Sequence, residues 1–182
     1  LIHDDVMDGS HLRRGGPTVH RALARTHTAH GWRGDPDQFG IAAAVAAGDL
    51  CLVWADEMLR GCGLPSEFLT RAAPVYDALR AETVRGQYLD LFFQAEGALR
   101  VEDALCAAVF KTAASTTVGP LQFGGALAGA DDGLMAAYLA YGRPLGVAFQ
   151  LQDDLLGAFG DTSATGKPSG DDLRDGKCTV LL

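Results

Sequence analysis

Clusters of aspartate sit inside two otherwise apolar, helix-compatible stretches of this chain, and that combination limits the folds open to it. Asp4-Asp5-Val6-Met7-Asp8 follows Leu1 and Ile2, and Asp153-Asp154 follows Val147-Ala148-Phe149-Gln150-Leu151-Gln152 about 150 residues later. A helix turns about 100° per residue, so Asp4 and Asp8 share a face one turn apart, with Asp5 beside them. Carboxylates this close repel one another unless a cation lies between them. Oxygen-only donors suit Mg²⁺, which keeps several waters and completes its shell with phosphate oxygens. The pattern predicts a helical fold whose two carboxylate faces hold a diphosphate through Mg²⁺.

The rest of the composition narrows the partners. With 182 residues, 48% hydrophobic and 21% charged, the chain can bury a sizeable core and reads as one domain or most of one. A formal net charge of -8 argues against nucleic acid as a partner, because phosphate-backbone affinity needs clustered Lys and Arg. Cys51, Cys62, Cys106 and Cys178 lie far apart without metal-ligand spacing and read as reduced packing residues. No uninterrupted apolar run reaches the roughly 18 residues of a membrane span, so no transmembrane segment is expected. The sequence starts at Leu1 without a Met and stops within Val180-Leu181-Leu182, which reads as a segment of a longer protein.

The periodicity predicts helices and little strand. Residues 40 to 60 are Ala- and Leu-rich, ended by Gly61-Cys62-Gly63-Leu64-Pro65. A second helix starts at Ser66 and extends to about Ala95, with a kink or restart expected at Pro74. Val101 to about Ala128 and Leu134 to about Phe159 repeat the pattern. Gly119, Gly124, Gly125, Gly142 and Gly146 within them suggest bends or close helix contact. Loops are expected at residues 9 to 19, 31 to 38, 61 to 65, 97 to 100, 129 to 133 and 160 to 176. The expected architecture is one all-α bundle over residues 1–182 with polar residues pointing into an interior cavity.

Basic residues on Gly- and Pro-bearing loops strengthen the phosphate reading. An acidic pair on a helix is more often a solvated face, but here Arg13-Arg14-Gly15-Gly16-Pro17 follows the first cluster, and arginine forks match phosphate oxygens. Gly166-Lys167 and Gly170-Asp171-Asp172-Leu173-Arg174-Asp175-Gly176-Lys177 follow the second and can close on a leaving diphosphate, unless they are merely a solvated loop. His3, His11, His20, His27 and His30 read as loop or helix-surface residues rather than acid/base catalysts.

The run LIHDDVMDGSHLRRGGPTVH resembles the first aspartate-rich motif and arginine loop of the trans-prenyltransferases, the polyprenyl diphosphate synthase family. FQLQDDLLGAFGD followed by GKPSGDDLRDGKCT resembles that family's second motif and lysine loop, and Phe110-Lys111-Thr112 and Gly86-Gln87-Tyr88-Leu89-Asp90 match two more in order. The resemblance covers essentially the whole chain. It implies the helical isoprenoid synthase fold, a cytoplasmic homodimer, and Mg²⁺-dependent condensation of isopentenyl diphosphate with an allylic prenyl diphosphate. It implies Asp4, Asp8 and Asp153 as direct ligands of three Mg²⁺ ions, supported by Asp5 and Asp154. Arg13, Lys111, Lys167 and Lys177 would hold the allylic diphosphate, and Arg14 would face isopentenyl diphosphate. Thr112 and Gln150 would stabilise the allylic cation, with Lys111 and Lys167 acting on the leaving group; Gln87 and Asp90 would extend the polar lining.

Two departures from the family pattern stand out. The second motif has Gly157 where a fifth-position Asp is expected, and Asp161 is a substitute only if the helix continues past Gly160. The family's upstream helices, with a Gly-Lys-Arg motif, and its C-terminal helices are not in this sequence, so the segment alone is not expected to catalyse and product length is hidden. A class I terpene cyclase, a silent regulatory subunit of a heteromeric synthase and a metal-buffering helical protein stay open as alternatives.

Overall fold

The computed structural model describes residues 1–97, 100–160 and 179–181. The stretches with helical periodicity form helices, and the described residues divide into two compact units, residues 1–62 and residues 63–160 with 179–181.

In the first unit, α1 (Ile2–Met7) is followed by a two-stranded antiparallel ribbon, β1 (Leu12–Arg13) and β2 (Gly16–Pro17). The ribbon falls in a stretch expected to be loop. Its two-residue turn has positive φ at both Arg14 (53°) and Gly15 (78°), the backbone twist that lets two short strands pair. Thr18, buried, donates from its hydroxyl to the Ser10 carbonyl at 2.8 Å and so closes the loop onto the start of α2 (Val19–Ala29). α3 (Pro36–Arg60) begins at an N-cap, where Asp35 Oδ1 accepts from the Asp37 amide at 2.8 Å, with Pro36 at the first helical position.

α2 packs on α3 through His20, Ala24 and His27, spaced i, i+4 and i+7. Gly40 makes this approach possible, because a Cβ there would strike the His20 carbonyl and lie 3.1 Å from the Ala24 Cβ. His20 and His27 are therefore buried, which corrects the surface reading of these two histidines. A hydrophobicity pattern does not register a helix face built as His-Ala-His. The Nδ1 atoms of both rings are buried without a hydrogen-bond partner among the described residues, while His27 Nε2 donates to the Arg33 carbonyl at 3.0 Å. The His27 ring also meets Trp32 and Phe39, with centroids 5.8 and 5.1 Å away.

In the second unit, α4 (Ser66–Glu96) runs unbroken through Pro74 and ends at Gly97, whose φ of 70° supplies the left-handed cap. α5 (Val101–Ala107), a π-helix (Ala108–Val118) and α6 (Gly119–Ala128) follow end to end, and α7 (Asp132–Phe159) returns across them with Pro144 inside it. Arg71 of α4 donates to the Leu127 carbonyl at 3.0 Å, satisfying the end of α6.

Close approach is what the small residues provide. A Cβ at Gly86 would overlap the backbone of Phe110 and Lys111, and one at Gly146 the backbone and Cβ of Ala113. Gly119, Gly125 and Gly142 also face near neighbours, whereas Gly124 has open space. Among the described residues, the buried apolar side chains are accordingly alanines plus Val118. Large apolar side chains point outward: Ile41, Val45, Leu52, Trp54 and Met58 on α3, and Val84, Tyr88 and Phe92 on α4, are exposed. Among the described residues, α3 is the one helix long and apolar enough to cross a membrane by length and composition, with mean hydropathy 1.5. Asp49 lies in its middle. Cys51, Cys62 and Cys106 are free thiols; Cys178 lies outside the described residues.

Two consequences are measurable. Gly86→Ala places a methyl group against fixed backbone, so it should destabilise the protein by about 1–3 kcal/mol or more in urea unfolding. His20 titrates below its ordinary 6.5, first because burial disfavours the cation and then because Arg21 is near. Below 6.5 the unfolded chain binds this proton more readily than the folded one, so stability is full above 6.5 and falls as pH drops through the lowered value. His20→Gln should flatten that part of the dependence of urea midpoint on pH.

Candidate active site

α1 presents the first carboxylate cluster. Asp4 and Asp5 lie in the helix, and Asp8 caps it while keeping helical angles (φ -81°, ψ -3°), so Asp4 and Asp8 stay one turn apart as the spacing predicts. The Asp8 amide donates to the Asp4 carbonyl at 2.8 Å. Asp5 is buried, 3% exposed, a costly place for a carboxylate without a partner. Arg13 supplies one from the ribbon: its Nε donates to Asp5 Oδ1 at 2.7 Å and its terminal nitrogen to Asp4 Oδ2 at 3.1 Å. One guanidinium thus spans two carboxylates, orienting both. Arg14 stands exposed at the tip of the ribbon turn.

The second unit gathers the other motifs on the π-helix. Lys111 Nζ donates to Asp90 Oδ2 of α4 at 2.7 Å, and Asp90 is buried. The next residue, Thr112, donates from its hydroxyl to Gln150 Oε1 of α7. Gln150 Nε2 then donates to Asp154 Oδ1 one turn later, at 2.7 Å. The amide is thereby fixed: its oxygen accepts and its nitrogen donates, and the buried Asp154 carboxylate is held in place. Asp153 and Gly157 lie one turn apart on α7, with Asp153 exposed.

Lys111 and Thr112 are successive residues of the π-helix and point to different neighbours, Asp90 of α4 and Gln150 of α7. The wider turn of this helix changes the angular register of the side chains between α5 and α6, and such segments recur at functional sites. Ser115 and Thr117 stitch the wide turns: the Ser115 hydroxyl donates to the Lys111 carbonyl at 2.7 Å, and the Thr117 hydroxyl to the Gly142 carbonyl of α7 at 2.7 Å. The run Ser115-Thr116-Thr117 inside an apolar helix is the sequence signal for Ser115 and Thr117, whereas Thr18, just before α2, has no such signal.

Lys167, Lys177 and Asp161 lie outside the described residues. α7 stops at Phe159, with Gly160 extended (φ -69°, ψ 152°). Among the described residues, no three carboxylate, imidazole or thiol side chains converge as a complete protein cage for a metal. Mg²⁺ takes one or two carboxylates and leaves the rest of its shell to water and phosphate. The hard oxygen donors of Asp4, Asp5 and Asp8 fit it.

Comparison with known proteins supplies the family. The polyprenyl synthetase family model matches residues 1–182. A geranylgeranyl diphosphate synthase of Sulfolobus acidocaldarius is 34% identical over 188 residues, covering 100% of this chain and 51% of that protein. A (2E,6E)-farnesyl diphosphate synthase of Mycobacterium tuberculosis is 38% identical over 180 residues, covering 99% and 45%. Among solved structures, a geranylgeranyl pyrophosphate synthase from Corynebacterium glutamicum, complexed with isoprenyl diphosphate and magnesium, is 48% identical. It superposes with a TM-score of 0.96 over 99% of this chain and 50% of its own. A polyprenyl synthase from Caulobacter crescentus, complexed with calcium and isoprenyl diphosphate, gives 31% identity and a TM-score of 0.77 over 98% and 48%. The chain spans about half the length of the relatives it matches. The all-α fold of the isoprenoid synthases is the one these neighbours share, and the chain belongs to the polyprenyl synthetase family.

Proposed function

We propose that the protein is a chain-elongating prenyltransferase, which joins isopentenyl diphosphate to an allylic prenyl diphosphate and releases diphosphate. The observation that carries this reading is the hydrogen-bonded chain Thr112–Gln150–Asp154 beside the Lys111–Asp90 ion pair. It sets fixed oxygen dipoles next to a cationic anion-binding group, the pairing that an ionising allylic diphosphate needs. The relatives named as geranylgeranyl and farnesyl diphosphate synthases, and the neighbour complexed with isoprenyl diphosphate and magnesium, support it.

Asp4, Asp8 and Asp153 are proposed as direct Mg²⁺ ligands, with Asp5 and Asp154 supporting directly or through water; three ions are proposed. When bound, Mg²⁺ supplies charge neutralisation for the diphosphate. The protein's own groups do the rest. Arg13 and Lys111, with Lys167 and Lys177, bind the allylic diphosphate, and Arg14 meets isopentenyl diphosphate. As the allylic C–O bond breaks, its electron pair leaves with the diphosphate, and the lysines stabilise the charge collecting there. The Thr112 hydroxyl has committed its proton to Gln150, so what it offers the allylic cation is lone-pair density. The alkene of isopentenyl diphosphate then forms the new C–C bond and loses a proton to the released diphosphate. No histidine is given a role in this transfer. A terpene cyclase would leave the arginine ribbon without a second diphosphate to bind. Association as a cytoplasmic homodimer belongs to the proposal, with the exposed apolar face of α3 as its contact.

In the intact protein, Asp4→Ala or Asp153→Ala should lower turnover by orders of magnitude, since each removes a ligand acting on the leaving group. Rates near wild type for either variant would remove the proposed metal role. Gly157→Asp should lower the Mg²⁺ concentration at half-maximal rate and leave product length unchanged; an unaltered Mg²⁺ titration would show that Gly157 costs no metal binding.

A further inference from the structure

The helix carrying the first carboxylates is too short to fix its own orientation. α1 has six residues, and isolated helices of that length are unstable, so its direction is set by what fastens it. Arg13 holds it through Asp4 and Asp5. A second fastening comes from His3, the residue before Asp4. His3 Nε2 lies 3.0 Å from the Val45 carbonyl oxygen of α3 and 3.3 Å from Asp49 Oδ1. A carbonyl can only accept, so Nε2 carries the hydrogen and donates it. The ring reaches this carbonyl because α3 has glycine at position 48, where a Cβ would lie 2.6 Å from the ring Cδ2 and 2.7 Å from Cε1. Val45, Gly48 and Asp49 are spaced i, i+3 and i+4, so together they form one socket on α3.

Neither the metal nor the phosphate assignments use this socket. Gly48 weakens the interior of an apolar helix, a local cost that becomes intelligible if the socket has a task. His3 and Asp4 are adjacent, so a small rotation of α1 about its axis displaces the Asp4 and Asp8 carboxylates together. We propose that His3, seated on Gly48 and donating to the Val45 carbonyl beside Asp49, is a positioning residue that sets the α1 carboxylates for binding of Mg²⁺ and diphosphate. The inference rests on the prenyltransferase reading above. In this role His3 acts through the orientation of its neighbours, as groups behind metal ligands commonly do.

The test compares variants of the intact protein in two measurements: calorimetric binding of inorganic diphosphate at saturating Mg²⁺, and steady-state elongation kinetics. His3→Phe keeps a flat ring over Gly48 but cannot donate; His3→Gln keeps an N–H donor. His3→Phe should weaken diphosphate binding roughly tenfold and lower kcat with the KM for isopentenyl diphosphate unchanged, while His3→Gln recovers most of both. Wild-type diphosphate binding by folded His3→Phe, or equal impairment of the two variants, overturns the proposal. If His3→Phe fails to fold, Gly48→Ala is read instead, because its methyl displaces an intact imidazole. The same loss is then expected, and wild-type binding overturns the proposal. Asp4→Ala separates the two readings. Wild-type binding by Asp4→Ala overturns the metal site and the His3 role together, whereas loss in Asp4→Ala with no loss in His3→Phe overturns the His3 role alone.

Discussion

Buried carboxylates need donors, and the way this chain supplies them organises most of the structure. Asp5, Asp90 and Asp154 are each less than a tenth exposed. Left without partners, each would lose several kcal/mol of solvation, or take up a proton and lose its charge. Arg13 meets the first, Lys111 the second and Gln150 the third, each within 2.7 Å. Each donor comes from a different element than a simple core would require: a tight ribbon, a π-helix and the turn of α7 before the acid. All six of these residues lie in the motifs that mark the family, so the polar interior and the proposed chemistry draw on the same side chains.

Supplying those donors demands short distances between helices. Lysine and threonine on the π-helix can serve α4 and α7 only because Gly86 and Gly146 let backbones approach more closely than any side chain permits. The consequence, among the described residues, is a core of alanine and glycine with Val118, which buries little apolar area per residue. Large apolar side chains instead form outward faces on α3 and α4. Contiguous exposed faces of this kind mark contact surfaces.

Much of this was legible in the residues. The helices from Pro36, Ser66 and Asp132 fall close to the predicted stretches because their Ala- and Leu-rich periodicity and their Gly and Pro stops are strong local signals. The spacing of Asp4 and Asp8 translated directly into one turn of helix. The π-helix was not legible, since widening a turn depends on what packs against it, here Gly86 and Gly146, rather than on local propensity. The burial of His20 and His27 is not legible for a similar reason: it is decided by what packs opposite, Gly40 against the His20 turn and Trp32 and Phe39 around the His27 ring. The ribbon after α1 was read as loop because its pairing rests on two positive φ angles, one of them at Arg14, where a non-glycine residue gives little warning.

The central claim is that these paired carboxylates and their donors serve prenyl transfer, and product analysis addresses it most directly. The intact protein is incubated with Mg²⁺, labelled isopentenyl diphosphate and, separately, dimethylallyl, geranyl or farnesyl diphosphate, and the products are resolved by chain length. The account predicts labelled prenyl diphosphates longer than the primer by whole isoprene units. Folded protein that elongates no primer, or that yields hydrocarbon from an allylic diphosphate without isopentenyl diphosphate, would contradict it.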